Sequence, residues 1–196
     1  GFAVGLVQTT EPKKGSGIIK KGLLKIIKWI LDAYVEVFRG TPMMLQAAFI
    51  YYGMAQLFNV NLSMWSAAIL IVSINTGAYM AETVRGGILS IDKGQTEAGR
   101  SLGLSAGQTM KLIIIPQAFK NVLPALINEM IVLLKETAII GYIGTTDITK
   151  EATLVQSRTY SAFVPLLSAA VFYWVLVSIL TYFMGKVERR MRKNDR

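Results

Sequence analysis

The chain has 196 residues, 53% of them hydrophobic, and a net charge of +9. A basic, apolar chain is either an integral membrane protein or a nucleic-acid binder. Residues 40–81 and 163–185 carry no charged side chain, which excludes the second class, because a nucleic-acid face needs charges there. With neither cysteine nor histidine, disulfides, thiol chemistry and thiolate or imidazole metal sites are excluded, and an enzyme working alone is disfavoured.

Residues 1–7 (GFAVGLV) are too short to span a bilayer and read as the end of a membrane helix whose start is missing. Residues 8–17 are polar, with Glu11-Pro12 and Gly15-Ser16-Gly17, and read as a loop. Over 18–34, Lys20, Lys21, Lys25 and Lys28 are interspersed with Leu24, Ile27, Leu31 and Tyr34 at helical spacing. This amphipathic helix suits a lipid surface and equally a solvated face. Thr41 can cap the next helix and Pro42 can occupy its first turn. Residues 40–58 and 63–81 then form an apolar hairpin joined by Asn59-Val60-Asn61, each near the ~20 residues that a span requires.

The interval 90–112 is polar. Residues 90–95 read as a turn and 95–102 as two helical turns, with Glu97 near the favourable end of the helix dipole. Gly103 suits a left-handed C-cap, and Ser105 can cap a second helix over 106–112. From Ile113 a helix runs to about residue 140, roughly 42 Å at 1.5 Å per residue. That exceeds the ~30 Å hydrocarbon core, so its first turns are expected outside it. Residues 141–162 read as a polar external segment, 163–185 as the last span and 186–196 as a basic tail. With the Lys13 loop on the cytoplasmic side, seventeen basic residues fall there and only Lys150 and Arg158 opposite. This positive-inside bias puts the 90–112 interval and the C-terminus in the cytoplasm.

Pattern alone allows a plain loop with two helices. The interval also carries Glu97-Ala98-Gly99, three residues, Gly103, nine residues, then Ile113-Ile114-Ile115-Pro116. This resembles the EAA loop of ABC-importer permeases, with Gly99 in place of a second Ala and Ile115 in place of Leu. The substituted Gly99 weakens helix propensity locally by up to ~1 kcal/mol. Residues 34–42, 75–85 and 128–137 resemble the corresponding segments of polar amino acid permeases of the histidine, glutamine and arginine uptake type.

The resemblance implies an all-α, polytopic type I ABC-importer transmembrane domain over 1–196. Its family has five spans, with most of the first missing here: 1–7, 40–58, 63–81, 113–140 and 163–185, with 90–112 as coupling loop. It implies a multi-pass subunit in the plasma (inner) membrane of a prokaryote, working as a homo- or heterodimer with a second permease subunit. The further partners implied are cytosolic ABC ATPase subunits and an extracytoplasmic solute-binding protein. The substrate implied is an amino acid, and the surroundings are lipid. ATP and Mg would sit on the ATPase, with no cofactor, metal or catalytic residue in this chain, where no Gly-rich phosphate loop with Lys-Ser/Thr occurs. Coupling would rest on Glu97, Ala98, Gly99, Arg100, Ser101, Leu102, Gly103 and Pro116, with the helix as lever and Gly103 as its bend.

Polar side chains within spans are costly and usually face an interior or a cavity. Gln46, Asn75, Tyr79, Glu129, Lys135 and Glu136 are therefore the candidate substrate contacts. Gln46 and Asn75 serve equally as interhelical hydrogen-bond glue. A secondary transporter or channel without an ATPase, an ABC permease for another small polar solute, and a membrane scaffold are the competing readings.

Overall fold

The computed structural model describes residues 1–10 and 17–193, and the regular elements among them are all helical. The loop around Lys13, on which the orientation argument turns, lies outside the described residues. The elements are α1 (Phe2–Thr9), α2 (Ile18–Gly40), α3 (Met43–Ala48), α4 (Met54–Phe58), α5 (Met64–Leu89), α6 (Lys93–Ser101), α7 (Ala106–Thr109), α8 (Ile115–Glu136), α9 (Ile148–Thr159) and α10 (Phe163–Lys193). Five-residue π turns, Phe49–Gly53 and Met110–Ile114, join α3 to α4 and α7 to α8. A 3-10 segment, Thr137–Ile143, extends α8 and ends on Gly144 at φ +104°.

The fold class is the expected one, while several boundaries move. The second apolar helix does not end near residue 81 but runs to Leu89, carrying Glu82 and Arg85 within it. The helix expected over 106–112 is one turn of α helix, and the π turn carries it without a break into α8. Pro116 accounts for this locally. A proline ring clashes with the carbonyl four residues back, here that of Leu112, and a wide turn immediately before the proline relieves the crowding. The segment 141–162, read as a polar external segment, contains α9, whose N-cap Asp147 accepts from the amide of Lys150 at 2.7 Å.

By length and composition two helices among the described residues can cross a membrane: Met64–Leu89 and Phe163–Arg190. The run 43–58 is divided by its π turn. In α8, Lys120, Glu129, Lys135 and Glu136 interrupt the apolar sequence.

The chain forms two units, 1–40 with 76–126, and 41–75 with 127–196, so α5 and α8 each contribute to both. In the first unit Val84, Ile88, Ile114, Ala118 and Val122 form the core. Gly87 lets α5 and α8 approach, since a methyl on it would lie 1.9 Å from Val122 Cγ2. Small residues at such crossings are how apolar helices gain packing where lipid supplies no hydrophobic drive. In the second unit Met43, Ala47, Ala67, Ala68, Ile71, Ile140 and Ile143 form the core. There α9 is tied to α10 through Tyr173, whose hydroxyl donates to Asp147 Oδ2 at 3.3 Å.

Candidate functional site

The 90–112 interval forms a clamped helix with one open face. Asp92 starts α6, its Oδ1 accepting from the amide of Gly94 at 2.7 Å. The helix therefore begins at Lys93, two residues earlier than the sequence reading. It ends in a Schellman closure: the amide of Leu104 bonds the carbonyl of Gly99, and that of Gly103 bonds Arg100, both at 3.1 Å. Gly103 makes this possible at φ +82°, a region costly to residues with a Cβ. The Arg100 guanidinium donates to the carbonyl of Leu104 at 3.0 Å and fastens the turn.

Ser105 then begins α7 with a reciprocal capping box. Its hydroxyl accepts from the Gln108 amide at 3.3 Å, and Gln108 Oε1 accepts from the Ser105 amide at 2.9 Å. Two orphan donors at the helix start are satisfied together.

One face of α6 lies along the turns that lead into α8. Gly99 is buried, and a methyl on it would lie 2.7 Å from Thr109 Cγ2 and 3.0 Å from Ile113 Cδ1. One turn earlier, Gln117 Nε2 donates to Gln95 Oε1 at 3.1 Å. The later residue of α6 meets the earlier residue of the following segment, Gly99 with Ile113 and Gln95 with Gln117, so α6 runs antiparallel to the segment 113–117. Beyond α6, Asn121 Nδ2 donates to Ser90 Oγ at 3.1 Å. Gly99 is thus also a packing contact, through which α6 is held to α7 and to the π turn that leads into α8.

The opposite face is open. Glu97, Ala98, Arg100 and Ser101 are exposed, and Leu102, at the C-cap, is 80% exposed. Pro116 is exposed in the first turn of α8. All eight residues read as coupling residues belong to one unit.

The six candidate substrate contacts are divided. Gln46 and Asn75 are both buried, and Asn75 Nδ2 donates to Gln46 Oε1 at 2.9 Å. Gln46 Nε2 in turn donates to the carbonyl and the hydroxyl of Thr41, at 2.9 and 2.8 Å. The first residue of α3 is Met43, with Pro42 extended in the N-cap position. Glu129, Lys135 and Glu136 follow one another along α8, with Lys135 exposed and the two glutamates half-buried. Tyr79 belongs to the other unit, where the Arg39 guanidinium lies 5.6 Å from its ring centre.

Missed in the sequence is the cluster around Glu82. Arg85 Nε donates to it at 3.0 Å and Arg39 approaches to 3.8 Å, so one carboxylate joins α2 and α5. Its signal was the i,i+3 spacing of Glu82 and Arg85.

Comparison with known proteins finds relatives over most of the chain. The arginine transport system permease protein ArtQ of Bacillus subtilis (strain 168) is 45% identical over 167 residues, 85% of this chain and 76% of that protein. The glutamine transport system permease protein GlnP of Escherichia coli (strain K12) is 37% identical over 169 residues, 84% of this chain and 77% of that protein. A crystal structure of an amino acid ABC transporter with histidines aligns with a TM-score of 0.83 at 41% identity, covering 96% of this chain and 82% of that one. The MetNI methionine ABC transporter in an inward-facing conformation aligns with a TM-score of 0.74 at 21% identity, a likeness of fold. Residues 16–193 match the family described as the binding-protein-dependent transport system inner membrane component, and the chain belongs to that family of transport subunits.

Proposed function

We propose that this chain is the membrane-spanning subunit of an ATP-driven importer of polar amino acids, and that α6 with its C-cap is the part an ATPase subunit pushes. The carrying observation is the two-faced construction of α6. Its inner face is fixed to the base of α8 through Gly99 and Gln95. Its outer face offers Glu97, Arg100 and Ser101, and its C-cap the exposed Leu102. A side chain as apolar as Leu102 gains from entering a groove on a partner, and Glu97 offers a carboxylate to a donor there. A push on α6 would then be delivered to α8 as to one body.

The substrate class rests on the relatives, which are named for arginine and glutamine. Gln46, Asn75 and Glu136, with Tyr79, Glu129 and Lys135, supply the acceptors and donors that a zwitterion needs. The mutual bond of Gln46 and Asn75 equally supports a structural role for that pair. In this reading nucleotide and Mg sit on the ATPase subunits. A solute-binding protein delivers substrate from outside, a second permease subunit completes the pathway, and the C-terminus is cytoplasmic in the inner membrane of a prokaryote.

The test is the complex reconstituted with its ATPase and binding protein, assayed for ATP hydrolysis across an amino acid panel. Stimulation by a polar amino acid that requires the binding protein is expected. Retention of the ATPase subunit, with unchanged uptake, after Glu97→Ala combined with Leu102→Asp would overturn the role of α6. Stimulation only by apolar amino acids would overturn the substrate class.

A further inference from the structure

The α2 helix has two halves with different surroundings. Its second half is anchored: Val35 is its one buried residue, Asp32 Oδ1 accepts from Gln8 Nε2 of α1 at 2.8 Å, and the Tyr34 hydroxyl lies against Gly77 of α5. The first half, residues 18–30, contains no buried residue and no acidic one.

At 100° per residue, the side chains of this half sort into arcs. Lys20, Lys21, Lys25 and Lys28 fall within about 140° of one another. On the far side, Ile19, Leu23, Ile26 and Ile30 fall within about 60°. These four apolar side chains are all more than half exposed, Ile19 to 86%. Trp29, 71% exposed, lies between the two arcs. Within the lysine arc, Leu24, Lys28 and Leu31, with the buried Val35, face the rest of the unit, and Lys20, Lys21 and Lys25 stay exposed on either side of that row.

A solvated helix has no use for an isoleucine-leucine stripe of this length. A membrane-crossing helix would have to carry four lysines through hydrocarbon, and α2 is not among the helices apolar enough to span. One environment satisfies both arcs together, the boundary between acyl chains and anionic headgroups, where tryptophan also accumulates. We infer that the first half of α2 lies in the membrane interface, its Ile19–Leu23–Ile26–Ile30 face among acyl chains and its lysines on the headgroups of anionic lipids. Its anchored half then ties the core of that unit to the lipid surface, so headgroup charge acts on the helix that carries Arg39 to Glu82. This inference does not depend on which solute is carried.

The chain has no cysteine, so single cysteines at Ile26 and Lys25 can carry a nitroxide in the full complex, with the other subunits made cysteine-free. The complex is reconstituted in vesicles of phosphatidylcholine alone, or with about one third phosphatidylglycerol, a content chosen to give the surface a strong negative potential. The expected result is a label at Ile26 exposed to oxygen at shallow depth, and one at Lys25 exposed to a water-soluble nickel relaxant. Added phosphatidylglycerol should draw the Ile26 label deeper. Combined Lys20→Gln, Lys21→Gln, Lys25→Gln and Lys28→Gln, or 0.5 M salt at about a 4 Å Debye length, should abolish that difference. The inference is overturned if Ile26 is reached by nickel (a solvated face) or by neither relaxant (a face covered by a protein subunit). It is equally overturned by a depth at the bilayer centre, or by no response to phosphatidylglycerol.

Discussion

Gly99 and Thr109 touch where no side chain fits between them: a methyl on Gly99 would lie 2.7 Å from Thr109 Cγ2 and 3.0 Å from its Oγ1. Thr109 cannot swing away easily, being 1% exposed and hydrogen-bonded through Oγ1 to the carbonyl of Ser105 at 3.1 Å. Alanine is better than glycine within a helix by ~1 kcal/mol, while overpacking costs ~1–3 kcal/mol. Gly99→Ala should therefore destabilise by about 1 kcal/mol, although propensity alone predicts a gain. Thr109→Ser removes Cγ2 and keeps the hydroxyl, so it should recover part of the loss. Thermal unfolding of the four variants in detergent measures this, and a stabilising Gly99→Ala would show that α6 is not clamped there.

Gly103 presents the opposite case. Nothing lies within 4 Å of a methyl built on it, yet its φ is +82°. The cost of a side chain is purely conformational, ~1–2 kcal/mol for alanine, with asparagine cheaper because it tolerates the left-handed region. Gly103→Ala should loosen the turn between α6 and α7 and reduce capture of the ATPase more than Gly103→Asn. Equal capture by both would show that the turn conformation is unimportant for docking.

The Gln46–Asn75 bond joins positions 29 apart and is buried. Replacing either residue by a similar-sized apolar one leaves the other amide with a partner fewer, so the two losses should not add. A double-mutant cycle with Gln46→Met and Asn75→Leu should give a coupling of about 0.5–1.5 kcal/mol. If the pair also touches substrate, the apparent KM for uptake rises in both single variants. If it is only structural, stability falls and KM holds.

Asp147 serves two elements at once, capping α9 through the Lys150 amide and accepting from Tyr173 of α10. Asp147→Ala should cost ~1–2 kcal/mol, and Asp147→Asn much less, because an amide oxygen still caps. Tyr173→Phe leaves the cap intact and removes the bond to Asp147 together with the one that the hydroxyl accepts from Thr149. Protease sensitivity near residue 160 should rise in the order Tyr173→Phe, Asp147→Asn, Asp147→Ala, and a silent Asp147→Ala would mean that α9 is held by other contacts.

What could be read from the sequence divides along the range of the forces involved. The Gly103 closure and the Ser105 cap are local chemistry, within five residues, and both were legible in the order of residues. Asp92 and Asp147 carry the same kind of signal, but each sits in a polar run that reads as turn or loop, and the helices they start were shortened or missed. The packing role of Gly99 depends on which residues meet it from ten and fourteen positions away. Propensity carries no such information. Polarity inside apolar runs singled out Gln46 and Asn75 one by one. Their pairing is a tertiary fact, as is the placement of Tyr79 beside Arg39 in the other unit.

The π turn at Met110–Ile114 also bears on what the chain tolerates. Such a turn holds one residue more than the α-helical path between the same two ends. Elsewhere in a helix, losing one residue rotates everything downstream by about 100° and turns buried faces outward. Here the removal of exposed Lys111 would let the wide turn relax to an ordinary one, leaving Thr109 and Ala118 on the sides they already occupy. The nine-residue interval between Gly103 and Ile113 thus contains one position that the downstream face does not count, and a natural deletion would be accommodated there before anywhere in α8.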